Sequence, residues 1–237
     1  MKRQIPSLLL NKSKYISKYI LKVITKIYTH IKYSELKKLE PFTIISNNCI
    51  AGFLYQKFNI KYYTPTIGLQ FPQEDFLKFC LNFDYYINYK IEESVDNKQD
   101  IFKSLGGEKV NFPVGKLNDI IIFFQHYKTF KNAKEKWDER KKRINNKYLF
   151  FIFVVYNNTP IEVIKKFESL PIKNKIIITN DDRIKSSISF ALHNGSNLWY
   201  EKINGKIFSK KYYEQYDFYK WIIKAIKETN KINGFDK

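Results

Sequence analysis

Cysteine is scarce in this 237-residue chain, which contains only Cys49 and Cys80. They form no CxxC pair and have no histidine pair nearby, so the sequence predicts neither a zinc site nor a disulfide framework. We therefore expect a reducing compartment, the cytoplasm. A Gly-rich phosphate loop, a Ser-based nucleophile elbow and an HExxH motif are also absent, so the common reactions that depend on them are not indicated.

Long apolar runs are missing as well. The N-terminal run at residues 5–10 is too short for a secretory signal or a spanning helix and soon gives way to lysines. Acidic residues are few, because 23 Asp and Glu stand against 42 Lys and Arg, for a net charge of +19. This charge suits nucleic acid, an anionic membrane or a phosphorylated substrate. No nucleic-acid-binding module accompanies it, so nucleic acid is the least favoured partner.

Large apolar residues, by contrast, are abundant. Hydrophobic residues make up 44% of the chain and aromatic residues 17%, which indicates a globular protein. We predict a basic amphipathic helical extension at residues 1–40 and one α/β domain at residues 41–237. The helical stripe of the extension runs through residues 13–36 and can either pack on the domain or touch an anionic membrane peripherally. Its apolar members are Ile16, Ile20, Val23, Ile24, Ile27 and Ile31.

Strand and helix patterns alternate after Pro41, which predicts a mostly parallel central sheet with helices on both faces, a Rossmann-like α/β fold. Residues 91–111 are polar and read as a loop or a short hairpin insertion. The predicted strands are residues 42–47, 65–70, 119–127, 148–156 and 175–179, and the predicted helices are residues 50–58, 73–87, 130–144, 160–169 and 217–229.

The first predicted strand runs directly into small polar residues and Cys49. Ligands and catalytic groups gather at the carboxyl ends of parallel strands, and the start of a helix favours a thiolate. His126 ends another apolar strand. If the two strands are parallel neighbours, Cys49 and His126 can act as nucleophile and base. The alternative is an inert buried thiol and a structural histidine.

Other polar residues complete this hypothetical site. Asn47, Asn48 and the backbone N–H groups of residues 49–52 can donate to an oxyanion or a phosphate, although such clusters also form ordinary turns. Glu74 and Asp75 can orient the imidazole or can simply be favourable charges at a helix start. The predicted substrate-binding residues of this part are Ser46, Asn47, Asn48, Gly52, Thr66 and Gln70.

Two further groups have a functional and a structural interpretation. Trp137, Arg140 and Arg143 can bind an anionic donor, or can belong to a solvated helix with Trp137 in the core. Asp181 and Asp182 follow a strand and can hold a divalent metal, although paired aspartates are also common in turns. We predict no resident metal.

Several motifs taken together resemble the DUF1919 family of bacterial proteins, from about Phe42 to Trp221. The chain has Ile50 and Ala51 where the family usually shows Trp-Gly, and Asn118 where an acidic residue often precedes Asp119. The motifs are residues 45–49 with Gly52, residues 64–70, residues 112–115 with residues 119–120, residues 126–127, residues 136–137 with Arg140 and residues 143–145, and residues 170–171 with Lys173 and Lys175.

The resemblance implies a role in exopolysaccharide or capsule biosynthesis, as a transferase of the acyltransferase kind. Cys49 and His126 would then transfer an acyl group to a glycan. A metal-dependent glycosyl- or phosphoryltransferase and a non-catalytic glycan- or carrier-binding protein are the alternatives. The expected donor is an acyl donor such as acetyl-CoA or a nucleotide sugar, and the expected acceptor is a glycan or a lipid-linked saccharide.

Overall fold

The computed structural model describes residues 20, 23–24, 27–28, 31–155, 158–181, 184–191, 201–203, 206–208 and 212–232. The helices are α1 Ser34–Lys38, α2 Ile50–Phe58, α3 Gln73–Leu81, α4 Phe83–Asn88, α5 Gln99–Ser104, α6 Phe130–Lys141, α7 Ile161–Ser169, α8 Tyr212–Gln215 and α9 Phe218–Ile232. The strands are β1 Thr43–Ser46, β2 Glu92–Glu93, β3 Val114–Leu117, β4 Ile120–Phe123, β5 Leu149–Val154, β6 Lys175–Thr179, β7 Ser189–Ala191, β8 Glu201–Ile203 and β9 Lys206–Phe208.

A four-stranded parallel sheet in the order β1-β5-β6-β7 forms the centre of the molecule. Its side chains alternate between two apolar clusters, because successive residues of a strand point to opposite faces. Ile44 and Phe150 belong to the cluster shared with α2 and α9, whereas Ile45 and Phe151 belong to the cluster shared with α3, α6 and α7. The predicted Rossmann-like α/β fold, with helices on both faces of a central parallel sheet, is confirmed.

The predicted strand at residues 119–127 is wrong in both extent and partner. Only Ile120–Phe123 is strand, and it pairs antiparallel with β3 in a separate sheet ordered β2-β3-β4. The reason is a tight turn, in which Asn118 takes the left-handed conformation (φ 53°) that asparagine tolerates. A hairpin of this kind returns the chain at once beside its own preceding strand.

The predicted strand at residues 65–70 is also wrong. This stretch makes a single bridge, between Gln70 and Phe123, and otherwise runs as extended chain between β1 and β4. Pro65 has no N–H to give to a ladder. The hydroxyls of Thr64 and Thr66 bond to each other at 2.9 Å, in place of a ladder along this stretch.

Side-chain hydroxyls occupy the outer edge of β1. The Tyr55 hydroxyl accepts from the Ile44 N–H (3.1 Å) and donates to the Phe42 carbonyl (2.8 Å). The Thr66 hydroxyl accepts from the Ser46 N–H (3.3 Å) and donates to the Ile44 carbonyl (3.4 Å). Because Tyr55 is buried, its pKa is raised, and the hydroxyl stays protonated and able to donate.

Smaller differences concern the flanking segments. The helix predicted at residues 73–87 is two helices that meet at Asn82, and the loop predicted at residues 91–111 contains β2 and α5. Tyr33 packs its ring against Phe58 and Tyr219, with centroids 5.1 and 5.4 Å apart, so the end of the predicted extension contacts the domain. The division at residue 40 stays a prediction. Within the described ranges, no helix combines the length and apolar character required to cross a bilayer.

Candidate functional site

Cys49 lies at the carboxyl end of β1, immediately before α2, as the sequence predicts. Its side chain is buried, and its Sγ lies 3.9 Å from the Leu69 carbonyl oxygen. Burial raises the pKa of the Cys49 thiol from 9.0 to about 11, so desolvation outweighs any field from the helix start. Burial of Cys49 therefore weighs against the expected thiolate, and the role of this residue stays a prediction.

His126 reaches the same region by a different route from the one predicted, because β4 is not a parallel neighbour of β1. The backbone N–H of His126 donates to the Gly68 carbonyl (3.1 Å), and the residue is exposed. Gly68 has φ +70°, and a Cβ at this position would lie 3.2 Å from the His126 Cβ. Cys49 and His126 thus both border the turn at residues 67–69, and a glycine makes the close approach feasible.

Several of the predicted oxyanion donors are bonded within the protein. The Asn47 amide donates to the Val154 carbonyl and accepts from the Val154 N–H, both at 2.8 Å. The N–H groups of Ile50 and Ala51 are bonded to the Asn48 side-chain oxygen (3.0 Å) and the Ser46 hydroxyl (3.4 Å). These residues join β1 to β5 and cap the start of α2, so they offer little to a ligand.

The remaining predicted residues of this part also make internal contacts. Thr66 is fully buried on the edge of β1, and the Gln70 side-chain oxygen accepts from the Gln125 amide at 2.6 Å. Gly52 is buried opposite Ile67, whose methyl carbon would lie 3.6 Å from an added Cβ. These predicted substrate-binding residues therefore lie in a packed joint between the two sheets.

Trp137 and the two arginines do not form one ligand-binding surface. Trp137 is 1% exposed and packs edge-on against Phe79 and Phe124, because it lies on the buried face of α6. Arg140 donates to the Tyr127 hydroxyl (2.7 Å), and Tyr127 in turn donates to the Ile67 carbonyl (2.8 Å). The burial of Trp137 supports the interpretation of α6 as a solvated helix with this residue in the core.

Arg143 likewise holds the chain at residues 62–67. It donates to the Tyr62 carbonyl (3.3 Å) and pairs with Glu139, while the Arg140 guanidinium lies 5.1 Å from the centre of the Tyr62 ring. Burial raises the pKa of Tyr127, which accepts the Arg140 hydrogen bond as a neutral phenol. Both arginines already have partners in the protein.

Of the two aspartates considered as metal ligands, the structure describes Asp181 only. The Asp181 N–H donates to the Thr179 hydroxyl at 2.9 Å, which is turn chemistry, and Asp182 lies outside the described residues. Among the residues with described positions, no group of three or more His, Cys, Asp or Glu side chains could hold a metal.

A cavity of about 360 Å³ lies beyond the carboxyl ends of β1 and β5. Phe71 fixes one side, because its N–H donates to the Asn47 carbonyl (2.9 Å) just after β1. Asn158 closes another side by donating to the Ser104 carbonyl. Ligands of open α/β sheets bind at this edge. The lining residues are Pro72, Gln73, Glu74, Asp75, Ile101, Ser104, Leu105, Asn158 and Pro160.

Two side chains at the start of α3 make this cavity chemically distinctive. Gln73 is 6% exposed, and neither atom of its side-chain amide has a hydrogen-bond partner within the described part of the chain. Burial raises the pKa of the Asp75 carboxyl from 3.8 to about 6, although one of its oxygens accepts from the Ile121 N–H at 2.8 Å. An unpartnered amide and a carboxyl that titrates near neutral pH are typical of a binding or catalytic site.

Sequence reasoning found only part of this cavity. It considered Asp75 as a partner for His126, but Asp75 faces Ile121 at the start of β4, whereas His126 follows the end of that strand. It missed Gln73, whose one signal was a Pro-Gln helix start followed by two acidic residues, and it missed Asn158, which had no such signal. A larger cavity of about 490 Å³ lies at the opposite edge, near Leu149 and Lys173, away from the carboxyl ends.

The motifs and the cavity lie in a part of the chain that matches one known family. The family described as "Domain of unknown function (DUF1919)" matches residues 19–223. The chain belongs to the DUF1919 family. Residues 46–52, residues 62–70 and the start of α3 all lie inside the matched part, so the DUF1919 domain contains both the joint and the cavity.

One relative of known source is similar over most of the chain. A protein of Haemophilus influenzae (strain ATCC 51907 / DSM 11121 / KW20 / Rd), described as "Uncharacterized protein", is 30% identical over 187 residues. The aligned part spans 76% of this chain and 82% of the relative. The two proteins are thus similar over most of their lengths.

Proposed function

We propose that the chain is a transferase of bacterial cell-surface polysaccharide biosynthesis that acts in the cavity at the start of α3. The observation that carries this proposal is that Asp75 and the Gln73 amide, which has no partner among the described residues, line the same cavity at the carboxyl edge of the parallel sheet. The polysaccharide context comes from the motifs that resemble the family, and the location of the reaction comes from the cavity.

Amide and carboxyl groups suit a sugar acceptor. An amide both donates and accepts, as a sugar hydroxyl does, so Gln73 can satisfy a hydroxyl that enters the cavity. Asp75 titrates close to neutral pH, which is the range in which a general base is most effective. In this proposal Asp75 takes the proton of the acceptor hydroxyl. The hydroxyl oxygen then bonds to the electrophilic atom of the donor, whose bond to the leaving group breaks, and the leaving group departs with that electron pair.

The acyl-transfer mechanism through Cys49 and His126 is the second candidate, because both residues border the turn at 67–69. Its difficulty is the state of the nucleophile, since a buried thiol with a pKa of about 11 reacts poorly. A non-catalytic glycan- or carrier-binding role would use the cavity without needing the charge of Asp75. These alternatives therefore predict different effects of replacing Asp75 and Cys49.

The test is replacement of the chromosomal gene by variants, followed by measurement of hexose in purified surface polysaccharide. We expect Asp75→Asn to reduce the polysaccharide to the level of a gene deletion, since loss of a general base slows a reaction about 100-fold or more. The asparagine can still accept from the Ile121 N–H, so the fold is preserved. Asp84→Asn is the matched control, because Asp84 is exposed and lies outside the cavity.

Three outcomes separate the candidates. Wild-type polysaccharide with Asp75→Asn would refute the role of Asp75. Loss of polysaccharide with Cys49→Ala, in a variant that melts like the wild type, would favour covalent acyl transfer. Unchanged polysaccharide in the gene deletion would contradict the biosynthetic context itself.

A further inference from the structure

Near the N-terminus the chain carries an apolar helical stripe that is exposed to solvent. Its described members are all helical and between 40% and 67% exposed. They recur at spacings of three and four residues, which places them on one side of a helix. The stripe consists of Ile20, Val23, Ile24, Ile27, Tyr28 and Ile31.

Such exposure is unusual within this molecule. Helix α9 has the same kind of apolar periodicity, but its Phe218, Ile222 and Ile226 are at most 2% exposed, because they pack on the central sheet. Contiguous apolar side chains at a surface mark an interaction site rather than ordinary scattered exposure. The N-terminal stripe therefore has the pattern of a docking surface that the described part of the domain does not cover.

The charge around the stripe indicates the chemistry of its partner. On an ideal helix the sequence places Lys14, Lys18, Lys22 and Lys26 on the side opposite the apolar positions, within a chain of net charge +19. Lys32 follows the stripe and is exposed, with its ammonium 5.7 Å from the centre of the Tyr28 ring. The segment thus combines an apolar side with a cationic one, so a complementary partner offers an apolar interior and negative charge at its surface.

An anionic bilayer meets both requirements together. Nucleic acid would neutralise the lysines but would leave the isoleucines in water, and a second copy would cover the isoleucines but would bring two chains of charge +19 together. We propose that this stripe docks the protein on an anionic lipid surface, with the isoleucines among the outer acyl chains and the lysines at the headgroups. The inference does not depend on the proposed transferase activity.

Co-sedimentation of the full chain with vesicles tests the proposal. The probes are phosphatidylcholine vesicles with and without phosphatidylglycerol. We expect the chain to sediment with the anionic vesicles only, and to be released at 1 M salt, where the screening length falls to about 3 Å. Lys22→Gln is expected to weaken binding about fivefold, which is the contribution of one lysine near a charged surface.

A matched pair of double variants locates the surface. Ile24→Asp with Ile27→Asp is expected to weaken binding on the order of a hundredfold, through lost burial and added repulsion. Val95→Asp with Ile232→Asp makes the same chemical change at two residues that are 107% and 74% exposed outside the stripe, and should bind like the wild type apart from a small charge effect.

The remaining outcomes overturn the proposal. Failure of the wild type to bind anionic vesicles would do so, as would equal binding by the two double variants. A concentration-dependent dimer in light scattering that disappears with Ile24→Asp and Ile27→Asp, without vesicle binding, would assign the stripe to a second copy. Thermal melting of each variant checks that the domain remains folded.

Discussion

Two polar regions lie at the same edge of the central sheet, and they differ in what their polar atoms do. Around residues 46–52, the Asn47 amide and the Ser46 and Asn48 oxygens are all bonded within the protein. At the start of α3, the buried Gln73 amide has no partner among the described residues, and the Asp75 carboxyl is desolvated beside a cavity.

The difference separates two meanings of a polar motif. A buried polar group that is fully bonded stabilises the fold, whereas a buried polar group without a partner costs free energy unless a ligand satisfies it. The segment richest in motif residues is therefore a structural joint between β1, β5 and the chain at residues 62–70. The less conspicuous start of α3 is the better candidate for ligand binding.

The largest expected contrast is in stability. Asn47→Ala removes both bonds to Val154 and leaves a buried N–H and carbonyl unpaired, so the free energy of unfolding should fall by about 3–5 kcal/mol. Gln73→Met replaces an unpartnered amide by an apolar group of similar size, so it should be neutral or stabilising by about 1 kcal/mol. Urea denaturation measures both. A destabilising Gln73→Met would show that the amide is satisfied in the folded protein.

The second test concerns the thiol of the joint. With a pKa of about 11 instead of 9.0, Cys49 should be alkylated by iodoacetamide at neutral pH about 100-fold more slowly than in the urea-unfolded chain. Mass spectrometry of the two cysteine peptides separates Cys49 from Cys80, which is also buried and should also be protected. Rapid labelling of Cys49 alone in the native protein would restore the nucleophile hypothesis.

The third test uses pH to probe the cavity. Because the folded-state pKa of Asp75 is raised from 3.8 to about 6, the folded chain binds this proton more tightly than the unfolded chain. The contribution of Asp75 to the free energy of unfolding therefore falls as pH rises from about 4 to 6. Asp75→Asn should therefore be more stable than the wild type by about 2–3 kcal/mol at pH 8 and nearly equal at pH 4.

Urea denaturation at the two pH values measures this difference, with Asp84→Asn as the exposed control. A constant difference between Asp75→Asn and the wild type at pH 4 and pH 8 would mean that Asp75 does not titrate abnormally. The same variant is used in the polysaccharide test, so its stability and its polysaccharide yield can be compared.

The smallest expected effect concerns the turn at residues 67–69, which Cys49 and His126 both border. Gly68→Ala must adopt φ +70° and also displace the His126 Cβ, so it should destabilise by about 1–2 kcal/mol. Gly106→Ala is the matched control, since Gly106 has φ +83° but an added Cβ would meet nothing within 4 Å. The difference between the two variants measures the close approach by itself. Equal melting temperatures would mean that His126 yields without cost.

Local patterns predicted much of the fold. The apolar run from Leu149 to Val154 and the periodicity of α9 identified a buried strand and a packed helix, because both signals are contained in neighbouring residues. The partner of β4 could not be predicted in the same way. An apolar run has the same appearance in a parallel sheet and in a covered hairpin, and only the turn at Asn118 decides between them.

The candidate site was harder to predict for a related reason. Residue type shows that Asn47 and Gln73 are polar, but the partner of each depends on chain far away in sequence, such as Val154 for Asn47. Burial has the same character, since only the packing of α6 against the domain decides between the two interpretations that the sequence left open for Trp137. Charge and periodicity were sufficient to mark the N-terminal stripe as amphipathic, because periodicity is a local property, but its exposure is seen only in the structure.

The hydroxyls on β1 determine how the central sheet can and cannot grow. An edge strand with free N–H and carbonyl groups is a template for a strand from another molecule, by β-augmentation or by aggregation. Tyr55 and Thr66 occupy those groups from Phe42 to Ser46. Strand addition at this side would have to displace two buried side chains first, so the β1 side of the sheet is protected against intermolecular pairing.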